Sequence, residues 1–147
     1  MNDFHIDAFY RDAGLILQKL YRAFPRKIAI YVEDISGPDE PDEYGLHSDR
    51  YLACLSTMVW LAEQGYLSYE STIRQEAIDQ AVLSHKSFTL LSSHCQLDSA
   101  AAAELHATDI ENPRSNIVRL RHALKANSAP VVADIMRQLL LAAHHFH

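Results

Sequence analysis

Glycine and cysteine are both scarce in this chain of 147 residues, with four of the first and two of the second. The glycines form no GxGxxG and no GxxxxGK[ST] pattern, so the common phosphate-cradling loops are excluded. Cys54 and Cys95 are too few for a disulfide framework and do not form a CxxC pair. No apolar run approaches the ~20 residues needed to cross a bilayer. The first residues, MNDFHIDAFYRD, are acidic and lack the charged-then-apolar order of a secretory leader. A reducing, cytoplasmic setting without membrane contact is therefore expected. What is present is 48% hydrophobic and 22% charged, enough apolar sequence for one core and too much for wholesale disorder.

The net charge of -6 is concentrated. Residues 1–31 hold five cations against three anions, and residues 51–147 seven cations against nine anions. Residues 32–50 hold Glu33, Asp34, Asp39, Glu40, Asp42, Glu43 and Asp49 against Arg50 alone. This stretch also carries Pro and Gly, so 33–47 reads as a solvated loop, or as an acidic screen repelling polyanions from the surface it borders.

Ala13, Ile16, Leu17, Leu20 and Phe24 recur at helical spacing, which predicts a helix over 7–24 with Asp7 at its start and Pro25 at its end. Ile28 to Val32 alternates β-branched residues and reads as a strand. Ser48 opens a second helix reaching Gln64, with Gly65 just beyond it. Its stripe of Leu52, Leu55, Val59 and Ala62 is expected in the core. Residues 66–70 and 77–83 read as two strands of a hairpin, with a polar tip over 71–76 containing Arg74. Ser84 caps one more short helix carrying Phe88, Leu90 and Leu91.

This order resembles the winged helix-turn-helix superfamily. Carrying residues are Ser48-Asp49-Arg50, then Trp60-Leu61-Ala62-Glu63-Gln64-Gly65-Tyr66-Leu67, and Val82 to Leu91 after the hairpin. The resemblance covers roughly residues 10–92 and assigns no subfamily. It implies a mainly α fold with a small β-wing (α+β), and docking onto a macromolecule. The family has a compact helix before the recognition helix, whereas here the acidic stretch fills that space. A single turn around Glu33-Asp34-Ile35 is what remains for it.

In the last third, Asp98 to His106 reads as a short alanine-rich helix and Thr108 to Arg114 as a connector. Helices are expected after Ser115 or Asn116, with Ile117, Leu120 and Leu124, and from near Pro130. The chain thus divides into a winged-helix unit, 1–95, and a C-terminal helical extension, 96–147. Val132, Ile135, Met136, Leu139 and Leu140 make a broad apolar face on the final helix. It packs either into its own small unit or into a homodimer seam.

Candidate chemistry is sparse. His144, His145 and His147 have no partnering Cys or carboxylate pattern, and His94-Cys95 has no spaced partner pair. The acidic residues lack a DxDxDG calcium spacing. His47-Ser48-Asp49 are neighbours in sequence, which is not how a triad is built. No catalytic, metal or cofactor site is expected, and the chain is read as non-enzymatic. With Leu52, Leu55, Val59 and Ala62 inward, the second helix presents Arg50, Thr57 and Trp60. With Tyr66 and Arg74 these form the expected partner-binding set. One helix cation is poor equipment for DNA, so a protein-interaction or assembly adaptor is favoured. The alternative is a DNA-binding transcription regulator, with Arg114, Arg119, Arg121 and Lys125 as phosphate contacts.

Overall fold

The computed structural model describes residues 4–93 and 115–143. The expected helix within 98–106, the connector reaching Arg114, and His94, Cys95, His144, His145 and His147 lie outside the described residues. The fold is mixed α+β: helices over a small antiparallel sheet of four strands. Helix α1 spans Phe4–Ala23, strand β1 Ile28–Tyr31, helix α2 Val32–Ser36 and helix α3 Asp49–Glu63. Strands β2 (Leu67–Ser68), β3 (Ser71–Ile73) and β4 (Ala77–Leu83) follow, then α4 (His85–Ser92), α5 (Asn116–Lys125) and α6 (Ala129–Ala143).

Local chemistry sets most boundaries. Ser48, Ser84 and Ser115 each accept a hydrogen bond from a backbone N–H in the first turn of the helix that follows, on Tyr51, Ser87 and Val118. Each satisfies a donor that has no intrahelical partner. Helix α3 ends at Gly65, whose φ of +81° is a left-handed conformation that glycine adopts without strain. Helix α2 is the single turn left in the acidic stretch, and Val32, expected to end the strand, is its first residue.

Strand β4 is the centre of the sheet. It pairs antiparallel with β1 on one side, and with β2 and then β3 on the other. Ile28 lies opposite Ala81 and Ile30 opposite Ile78, so β4 carries one extra residue there. Gln80 occupies that bulge with φ +56°. The bulge lets Ile78 and Ala81 both reach the core, where strict alternation would send one outward. The hairpin is longer than its sequence suggests, because Ser71, Thr72 and Ile73 are strand. The tip narrows to Arg74-Gln75, closed by a hydrogen bond from Glu76 N to Ile73 O of 2.7 Å.

One core joins the whole described structure. Ala13, Ile16, Leu17 and Leu20 are buried along α1, as their spacing predicts. They sit in the same cluster as Ile30, Ile78, Leu91, Ile117, Leu120, Val132 and Met136. Helices α5 and α6 pack on each other and on α1 and α4. At Gly14, α1 lies close against them. A Cβ there would stand 3.1 Å from Leu120 Cδ1 and 3.6 Å from Met136 Sδ.

Helix α3 corrects the sequence reading by one residue. Its buried stripe is Tyr51, Cys54, Met58 and Leu61, the same i, i+3, i+7, i+10 spacing shifted back by one. Leu52 is 43% exposed, and Leu55, Val59 and Ala62 are half-buried. The two stripes are about equally apolar, so periodicity alone does not separate them. The hydroxyl of Tyr51 separates them, because it donates to Gln75 O at 3.0 Å across the fold.

Candidate functional site

The outward face of α3 is the natural place to look for docking, and the shift of its core stripe remakes that face. Its exposed residues are Asp49, Leu52, Ala53, Ser56 and Glu63, with Leu55, Val59 and Trp60 partly open beside them. None of these is a cation. Arg50, expected on this face, turns back to α1. Its guanidinium donates twice to Asp12, at 2.6 Å to each carboxylate oxygen. Asp12 is 1% exposed, and a carboxylate this deep needs a forked partner to offset its desolvation. The same carboxylate raises the guanidinium pKa above its ordinary value, against the opposing effect of burial.

Three other members of the expected partner-binding set are also occupied inside the chain. Thr57 is buried and its hydroxyl donates to Ala53 O at 2.9 Å. Tyr66 is buried in the molecule rather than offered to a partner. Its hydroxyl donates to Leu140 O, its ring stacks on Trp60 with centroids 6.0 Å apart, and Lys86 Nζ lies 4.4 Å above that ring. Burial raises its phenol pKa. Trp60 is half-buried between Tyr66 and Phe9 of α1, whose ring stands T-shaped to it. Arg74 stands at the tip of the hairpin, exposed as expected.

Arg119 is 7% exposed and Arg121 is half-buried, so the stripe of phosphate contacts expected on α5 is not a solvated one. Lys125 is exposed, and Arg114 lies outside the described residues. Val132, Ile135, Met136 and Leu139 are buried and Leu140 half-buried within the single chain. The face assigned to a dimer seam is thus covered by α1, α4 and α5. Much of that cover comes from α1, more than 100 residues earlier in the chain.

A second feature adjoins α3 at its N-terminal end. Tyr31, Glu33, Asp34, His47, Tyr51 and Glu76 line an open cleft of about 420 Å³. Its walls come from the β1–α2 junction, the end of the acidic loop, the first turn of α3 and the hairpin tip. The loop is held by its own carboxylates. Asp39 accepts from His47 Nδ1 at 2.9 Å and from Ser48 N at 3.1 Å, while Asp42 accepts from the backbone N–H groups of Tyr44 and Leu46. The His47 ring stacks flat on Tyr51, with centroids 3.7 Å apart. Val32 N donates to Glu76 O at 2.8 Å and fixes the hairpin against α2. Burial raises the Tyr51 phenol pKa, and the charges of Glu76, Glu33 and Asp39 raise it further.

Sequence reasoning missed this cleft because its residues come from four separate segments. The run of acid in 32–50 was the one signal for it. Among the described residues, no group of three or more His, Cys, Asp or Glu is placed to hold a metal ion. Among them too, no helix is long and apolar enough to cross a membrane. No protein-family model, curated protein or solved structure matches the chain.

Proposed function

We propose that this chain is a non-enzymatic binding module of the winged-helix type that docks a protein partner through the outward face of α3. In this reading α1, α2 and α3 are the helical body, β1, β4 and β2 the sheet, and the β3–β4 turn the wing. The helix and strand order and the pairing order β1-β4-β2 support the assignment.

One observation carries the choice of partner: the exposed residues of α3 include no lysine and no arginine. Duplex DNA is held largely by cations that neutralise phosphates, and is read by Arg, Lys, Asn or Gln on an inserted helix. Here the only helix cation is spent on Asp12. Asp49 and Glu63 flank an apolar strip around Leu52, and an acidic loop leads into it. An apolar patch with a charged rim suits a protein contact.

The test has two arms. Anisotropy against a pool of random duplexes at low salt is expected to show no binding that collapses as salt rises. Steep salt-dependent binding overturns the protein reading in favour of a DNA regulator. A photoreactive residue at position 52, in cells that express the protein, is expected to crosslink one discrete protein. Leu52→Asp is expected to abolish retention of that protein on the purified chain with an unchanged melting temperature. Retention of the partner by the folded variant overturns the assignment of this face.

A further inference from the structure

We propose that His47 and Asp39 form a proton-operated latch on the acidic loop: a protonated His47 keeps residues 40–46 gathered at the start of α3, and loss of that proton releases them. The pair stands at the neck of the loop. Asp39 and His47 are half-buried, whereas every residue from 40 to 46 between them is exposed. The tip is ordered by its own bonds, from Tyr44 N and Leu46 N to Asp42 Oδ1, and from Asp42 N to Leu46 O at 2.8 Å. Those bonds fold the tip without closing the neck. Closure falls to Asp39, whose Oδ2 accepts from His47 Nδ1 at 2.9 Å and from Ser48 N at 3.1 Å. The far side of the latch is rigid. Ser48 caps α3 through Tyr51 N, and the His47 ring lies flat on the Tyr51 ring, 8° from parallel. Tyr51 is 1% exposed and is tied through its hydroxyl to Gln75 O.

The strength of the latch depends on the charge of the ring. Asp39 is ionised near neutrality, because hydrogen bonds from Ser48 and His47 hold its carboxyl below the ordinary range. An ionised carboxylate only accepts, so Nδ1 must carry a proton. A protonated ring has a proton on both nitrogens, and its bond to Asp39 is charged at both ends, roughly twice as strong as a neutral one. A neutral ring has a single proton to place. With it on Nε2, Nδ1 and the carboxylate meet as two acceptors. The surroundings set the same sign. Tyr31 on β1, Glu33 and Asp34 on α2, Tyr51 on α3 and Glu76 on the hairpin share the cleft with His47, and no lysine or arginine lines it. Lys19 pairs with Asp34 at 3.8 Å. A positive ring is thus met by acids and phenols. On the acid side the neck opens when Asp39 itself takes up a proton, so closure occupies a window between the two titrations.

The experiment is an NMR titration of the full chain from about pH 5 to 8, the range in which histidine changes charge. One signal is the His47 ring, assigned by its absence in His47→Gln. The other is solvent exchange of the Ser48 amide, divided by the rate of an unfolded peptide at the same pH. Protection of Ser48 is expected to fall roughly fivefold as the His47 ring loses its proton. The two midpoints are expected to coincide, with protection along β4 unchanged. In His47→Gln and in Asp39→Asn, Ser48 protection is expected to be low at every pH in the range. Constant protection while the ring titrates overturns the latch. A fall with a different midpoint, or one that survives in His47→Gln, belongs to another group and overturns it as well. Loss of protection along β4 in step with Ser48 makes the response a loosening of the whole fold, which also overturns it.

Discussion

Asp12 and Arg50 show how much a single side chain can change a functional reading. Arg50 counts as a surface cation in the sequence and as half of a buried clamp in the fold. Removing one partner strands the other, a loss of ~3–5 kcal/mol for a fully buried pair. Arg50 is 38% exposed, so water screens part of this. Arg50→Met should therefore cost about 2 kcal/mol in urea denaturation, most of it recovered in the Asp12→Leu/Arg50→Met double variant. Cys54 offers a second test. Burial, then the charge of Asp12, push its thiol up to about 12, so almost no thiolate exists near neutrality. Iodoacetamide at pH 8 should leave Cys54 unmodified in the native protein and label it on unfolding, with peptide mapping reading Cys95 separately. Asp39 gives a pH dependence. Its hydrogen bonds from Ser48 and His47 hold its carboxyl below the ordinary 3.8. A carboxyl lowered in the folded state adds stability above its unfolded pKa and loses it as pH falls through the folded value. Amide protection across 39–48 should therefore fall below about pH 3.8, whereas Asp39→Asn should lack that protection at pH 6 already.

At the scale of the element, the hairpin tip carries visible strain. Arg74 and Gln75 have φ of +49° and +63°. A two-residue hairpin turn with both central φ positive is the kind that Asn-Gly fills best, and a side chain there costs ~1–2 kcal/mol. Gln75→Gly should raise stability by about 1 kcal/mol, read as a higher melting temperature, because the turn is already pinned by Tyr51. Helix α3 shows the limit of pattern reading on one element. The Leu52 stripe and the Tyr51 stripe have the same spacing, and only contact with α1, α2 and the hairpin turn selects between them. Where one stripe dominates, as on α1, the sequence names the buried residues directly.

At the scale of the whole molecule, α5 and α6 form a layer over α1 within a shared core. Leu139 tests this. It is 5% exposed inside one chain, so Leu139→Ala should cost ~2–5 kcal/mol. Leu139→Asp should unfold the protein rather than release folded monomers. Light scattering beside circular dichroism separates the outcomes: a folded species of halved mass would restore the seam.

The sequence by itself determined the order of the described helices, the serine caps, the glycine just beyond α3, the buried stripe of α1 and the single turn of α2. These rest on interactions between residues a few positions apart, and spacing reports such interactions faithfully. Only the tertiary structure decided which face of α3 turns inward, where Arg50 spends its charge, what covers α6, and that Tyr31, Glu33, His47 and Glu76 share a cleft. Each of those depends on a partner distant in sequence, and burial and charge pairing between distant segments leave no periodic trace along the chain.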